Sequence, residues 1–85
     1  MNAADWVDSV ADEHDMPLLK MTGYDDCILG VVRRFNDSFV LYDKLKVLQK
    51  LMDEGMSAEE ADEWFEFNMV GAWMGAGTVG FLETP

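Results

Sequence analysis

Histidine, cysteine and, over most of its length, positive charge are scarce in this 85-residue chain, and each scarcity removes a class of function. Cys27 is the only cysteine, so no disulfide can form within the chain. His14 is the only histidine, and together with Cys27 it falls short of the three or four nitrogen and sulfur ligands that zinc takes. A calcium loop needs alternating oxygen ligands around a glycine turn, which the run Asp12-Glu13-His14-Asp15 does not have. No metal or cofactor is therefore expected. Nucleophilic catalysis needs a serine or cysteine beside a positioned base. The lone histidine sits in a charged segment and no carboxylate is set in an apolar run, so no catalytic residue is assigned and the chain is expected not to be an enzyme. No apolar run approaches the roughly 20 residues of a membrane span.

Lysine and arginine number 6 against 17 aspartates and glutamates, for a net charge of −11. All six cations (Lys20, Arg33, Arg34, Lys44, Lys46 and Lys50) lie in the middle of the chain, and both flanks are purely acidic. Such a chain is repelled by nucleic-acid phosphate and by anionic lipid, so neither nucleic acid nor membrane is an expected direct partner. The acidic N-terminus lacks the positive region of an export signal, which makes cytoplasmic residence the expectation.

What is present is apolar and aromatic. At 49% hydrophobic residues and 12% aromatic, the chain holds enough for one modest core, and its length limits it to one domain. The clearest element is a helix over about 57 to 72. Ser57 and Glu60 have the spacing of a capping box, and Met56 and Ala61 that of a hydrophobic staple. Ala61, Trp64, Phe65, Asn68 and Ala72 recur at helical spacing as its inner stripe, with Trp64 in the core and Asn68 as a buried amide. A second helix, about 44 to 54, is capped by Asp43, lined by Leu45, Val47, Leu48, Leu51 and Met52, and closed by Gly55.

Ser38 to Tyr42 reads as a buried strand and Thr78 to Leu82 as its antiparallel partner. Between 25 and 35, Ile28, Val31 and Val32 have strand propensity. Yet Cys27, Ile28, Val31, Val32 and Phe35 fall on a helical stripe, and the helix is favoured over the strand. Residues 1–16 form an acidic N-terminal segment with a fraying helix, and 17–85 a single globular domain. Deleting residues 1–15 is expected to cost less than about 1 kcal/mol. The fold class is α+β: a small single domain, mainly helical, with a short two- or three-stranded antiparallel sheet.

Gly75-Ala76-Gly77-Thr78-Val79-Gly80 matches a dinucleotide-binding fingerprint in letters only, because it follows a helix and no helix follows it. It reads instead as a turn into the last strand. Glu59, Asp62, Glu63 and Glu66 form an acidic ridge on the 57–72 helix, which carries no lysine or arginine of its own. Trp6, Trp73 and Met74 fall off the apolar stripes and are candidate exposed anchors, since Trp and Met are enriched in interface cores.

From Gly23 to Thr78 the chain resembles a family of small, mostly uncharacterised tailed-bacteriophage proteins. The resemblance lies in Gly23-Tyr24-Asp25-Asp26 before Ile28-Leu29-Gly30-Val31, and in Val40-Leu41-Tyr42-Asp43. It continues in Gly55-Met56-Ser57 with Glu59-Glu60-Ala61, and in Trp64-Phe65-Glu66-Phe67-Asn68 leading to Gly71-Ala72-Trp73-Met74-Gly75. Ala76, Gly77, Thr78 and Val79 depart from the family's Gly-Glu-x-Thr-Pro turn. The resemblance implies a phage origin and a compact α+β domain, and brings no activity with it. The expected function is binding and modulating a host protein, such as a nucleic-acid-handling or defence enzyme, with the carboxylate ridge occupying a basic groove built for phosphates. The alternative is a homo-oligomeric accessory or structural protein using Trp73, Met74 and Phe67 as a self-complementary patch.

Overall fold

The computed structural model describes residues 2–15, 18–35, 37–71 and 78–85. Helix α1 (Ala3–His14) leads through a 3-10 turn (Asp25–Cys27) into strand β1 (Ile28–Arg33), which turns back as β2 (Ser38–Asp43). Helices α2 (Lys44–Asp53) and α3 (Ala58–Phe65) follow, then a π-helical turn (Glu66–Val70) and strand β3 (Gly80–Leu82). The three strands form one sheet in the order β1-β2-β3. The fold is α+β, as expected, but the sheet is mixed: β1 pairs antiparallel with β2, and β3 runs parallel to β2. The antiparallel partnership expected for β2 and β3 is thus corrected. The chain leaves one end of β2 and passes through two helices before β3, the long crossover that a parallel pair requires.

The helix favoured over 25–35 is also corrected. Gly30 disfavours helix and Ile28, Val31 and Val32 favour strand, and β2 supplies the ladder. The register slips between Ile28 and Gly30, leaving Leu29 as an extra residue. Ile28 therefore pairs with Tyr42 and Val31 with Val40, so two residues three apart share one face of the sheet. That spacing is also helical, which is why the stripe misleads. Phe35, counted in the same stripe, is fully exposed, with a relative accessibility of 101%. It sits in a turn closed by the Arg34 N–H donating to the Asp37 carbonyl at 2.8 Å and by paired guanidinium–carboxylate bonds at 2.9 and 2.7 Å.

The core lies on one side of the sheet. Val40 and Tyr42 are wholly buried against Val47 and Leu51 of α2, Ala61 and Phe65 of α3, Met69 and Val7 of α1. The Tyr42 hydroxyl accepts the Met21 N–H at 2.8 Å, which satisfies the one polar atom on that buried ring. Phe81 of β3 meets the Phe65 ring edge-on at 4.8 Å and the Tyr42 ring at 6.1 Å, so a three-residue strand is held by aromatic packing as well as by its ladder.

The helix signals appear as read. The Asp43 side chain accepts from Leu45 N, Gly55 takes φ +111°, and both halves of the Ser57–Glu60 capping box form. The inner stripe of α3 differs from expectation: it runs Ala61, Phe65, Met69. The turn after Phe65 widens to π geometry, with the Gly71 N–H donating to the Glu66 carbonyl, and this keeps Met69 on the inner face. Asn68, expected inside, is therefore exposed, and its amide donates to the Trp64 carbonyl at 3.1 Å; Trp64, also expected inside, lies in the regular part of α3 to one side of the Ala61–Phe65 line and is exposed too. Ala72 lies outside the described residues.

The N-terminal segment forms a capped helix, Asn2 accepting from Asp5 N, with Val7 at 0% exposure in the core. Lys20 pairs with Asp8 at 2.8 Å and helps hold it there. Its expected dispensability is revised accordingly. Val7→Ala should cost about 2 kcal/mol of stability by denaturant titration, and deleting residues 2–15 considerably more, because either change opens the same core. A loss under about 0.5 kcal/mol for Val7→Ala would show α1 undocked.

Candidate protein-binding surface

Ser57 and Glu60 start α3 by bonding to each other's backbone: the Ser57 N–H donates to Glu60 Oε1 at 3.0 Å, and the Glu60 N–H to Ser57 Oγ at 3.2 Å. The Ser57 backbone N–H holds the Glu60 carboxyl below its ordinary value. Glu60 is thus engaged within its own helix. With Ala61 and Phe65 turned inward, Glu59, Asp62, Glu63 and Glu66 all face solvent, and the ridge read from their spacing is present.

It is not uniform. Lys44, from the first turn of α2, bonds the Glu83 carboxylate and lies 3.9 Å from both Asp62 and Glu66. Its ammonium stands 5.3 Å from the centre of the Phe65 ring. Glu83 chiefly, with Asp62 and Glu66 behind it, pushes the Lys44 pKa up. No cation is carried by α3 itself, but one reaches it from another element and meets half of the ridge. Glu59 and Glu63 have no ion-pair partner among the described residues. Standing four apart with like charge, they disfavour the helix by a few tenths of a kcal/mol.

Beside this unpaired half are apolar groups. Phe67 is 86% exposed and Trp64 38%. Met56, Glu60, Glu63, Trp64 and Phe67 line a shallow cleft of ≈ 380 Å³. The surface therefore offers two free carboxylates beside an aromatic pair, a composition suited to a basic and partly apolar protein surface. Trp64 was assigned to the core from spacing alone; in the structure it stands beside the Ala61–Phe65 line and is left at the surface.

The other candidates are not brought to this surface. Trp6 is exposed, as expected of an anchor, but lines a separate groove of ≈ 420 Å³ with Ile28, Leu29 and Gly30. Trp73, Met74 and the Gly75–Gly77 part of the glycine motif lie outside the described residues. His14 is exposed near the end of α1, and Cys27 is buried with its thiol pushed up by burial. Among the described residues no three His, Cys, Asp or Glu side chains converge as metal ligands, and no helix is long and apolar enough to cross a membrane.

Comparison of the chain with protein-family models, with curated proteins and with solved structures finds no match.

Lys44 is the cation that tempers the acidic ridge and ties α2 to the tail after β3. Lys44→Gln should lower the melting temperature by roughly 2–5 °C at about 0.01 M salt, where the Debye length is about 30 Å, and by less at about 0.15 M, where it is about 8 Å. An equal deficit at both ionic strengths would show that Lys44 acts by packing on Phe65 rather than by charge.

Proposed function

We propose that this chain is a non-enzymatic binding protein that engages a basic surface of another protein through the outer face of α3. The observation that supports this most directly is the division of the ridge: Asp62 and Glu66 meet Lys44, while Glu59 and Glu63 stand unpaired beside Trp64 and Phe67. Unpaired like charges next to exposed aromatic rings disfavour the isolated chain and favour a complex, since both the repulsion and the hydration of the rings are relieved by a cationic, partly apolar partner. A host nucleic-acid-handling or defence enzyme remains the partner class proposed, because its phosphate groove is lined with lysine and arginine. The phage-type origin suggested by the resemblance accords with that choice. The aromatic pair refines the phosphate-mimic idea: the carboxylates steer, and Trp64 and Phe67 add the buried contact.

The test is capture of partners from a bacterial lysate by the immobilised chain, followed by kinetics on the purified partner. Glu59→Gln with Glu63→Gln should lower the on-rate at least about tenfold, with the difference shrinking at high salt. Trp64→Ala should act mainly on the off-rate, and Glu66→Gln should have little effect because Lys44 already faces it. Unchanged kinetics in the Glu59/Glu63 variant would refute the reading.

A further inference from the structure

We propose that the α3 cleft receives an arginine side chain of the partner, stacked on Trp64 and bonded to Glu63; this rests on α3 being the partner-binding face.

Elsewhere in the molecule rings and charges are used in one repeated combination. Arg34 lies over the Phe39 ring, 5.1 Å from its centre, and bonds Asp37. Lys44 lies 5.3 Å from the centre of the Phe65 ring and meets Glu83, with Asp62 and Glu66 behind it. Lys50 lies 5.7 Å from the centre of the Tyr24 ring and pairs with Asp26 at 3.0 Å. Each set has three parts: a ring, a cation over it, and a carboxylate that holds the cation there. The negative face of the ring and the charge of the carboxylate attract the same group.

The α3 cleft has only the ring and the carboxylate. Trp64 and Phe67 supply exposed rings and Glu63 a carboxylate, all lining one hollow with Met56. Glu60 lines it too, but its carboxylate accepts from the Ser57 N–H. Among the described residues no cation stands over either ring, and none pairs with Glu63. The groove beside Trp6 differs, since Asn2, Ala3, Ile28, Leu29 and Gly30 line it and none of them is charged. What the α3 cleft lacks is a cation, and the occupant that completes it carries one.

Arginine fits this place better than lysine. An ammonium is compact and strongly hydrated, and a shallow cleft replaces little of its water. A guanidinium is planar and weakly hydrated, so it can lie flat on an indole while its edge donates to a carboxylate. The chain itself shows the difference in reach: Arg34 makes two bonds to Asp37, at 2.9 and 2.7 Å, where Lys50 makes one to Asp26. With the guanidinium over Trp64, its methylene stem covers Met56 and Phe67, the other apolar walls.

Nuclear magnetic resonance titration of the full chain with acetyl-Gly-Arg-Gly-amide and acetyl-Gly-Lys-Gly-amide, at equal ionic strength, tests this. The Trp64 indole signal, identified as the one that Trp64→Phe removes, should move with the arginine peptide and saturate with a dissociation constant of about 1–10 mM. The lysine peptide should bind at least about threefold more weakly. Glu63→Gln, at an exposed site on α3, should weaken the arginine peptide at least about threefold. Trp64→Leu, which keeps an apolar side chain but removes the ring, should do the same, and Glu63→Gln decides the matter if that variant fails to fold. Equal affinities for the two peptides, a Trp64 signal unmoved up to about 50 mM peptide, or binding indifferent to Glu63→Gln overturns the proposal. The partner-binding role of α3 is judged separately, by the on-rate of the Glu59/Glu63 variant on the captured partner, so either can fail alone.

Discussion

The structure depends on one constraint: an 85-residue chain has material for a single core, and here that core lies wholly on one side of a three-stranded sheet. Val40 and Tyr42 define the buried side, and every described helix is docked against it. The position of α1, the parallel placement of β3 and the inward turn of Phe65 and Met69 all follow from filling that one space. So does the exposure of what is left, including the outer side of the sheet and the outer side of α3. Both proposals concern the second of these surfaces, where Trp64 and Phe67 are left outside because the core has no capacity to take in more apolar side chains.

Charge is arranged around the same constraint. Three of the lysines each tie separate parts of the chain together: Lys20 to Asp8 of α1, Lys50 to Asp26 of the 3-10 turn, and Lys44 to Glu83 beyond β3. Pairs this exposed contribute little singly, at most about 1 kcal/mol each. Their placement matters more than their strength, because these three cations are held at the seams between elements and none pairs with Glu59 or Glu63 of α3. The resulting surface is acidic on α1 and α3 and basic on α2, which carries Lys44, Lys46 and Lys50, with Arg33 and Arg34 at the β1–β2 turn.

Much of this is legible in the residues where a local rule decides the outcome. Asp43, Gly55, Ser57 and Glu60 mark helix ends by satisfying particular backbone groups, and they do so in the structure as in the sequence. The spacing of the α3 carboxylates likewise places them on solvent. What is not legible is decided by contacts between distant segments. A one-residue slip in β1 gives Ile28 and Val31 the spacing of a helix, and a single π turn moves Asn68 out and Met69 in. Lys44 faces Asp62 and Glu66 only because α2 and α3 pack together.

The most direct measurement of the account is hydroxyl-radical footprinting of the full chain, read by mass spectrometry with and without the captured partner. If the core has one side and α3 turns its outer face to the partner, Trp64 and Phe67 react in the isolated chain and lose reactivity together in the complex. Tyr42 and Phe65, in the core, stay unreactive in both. Unreactive Trp64 and Phe67 in the isolated chain, or equal reactivity of the two with and without the partner, would contradict it.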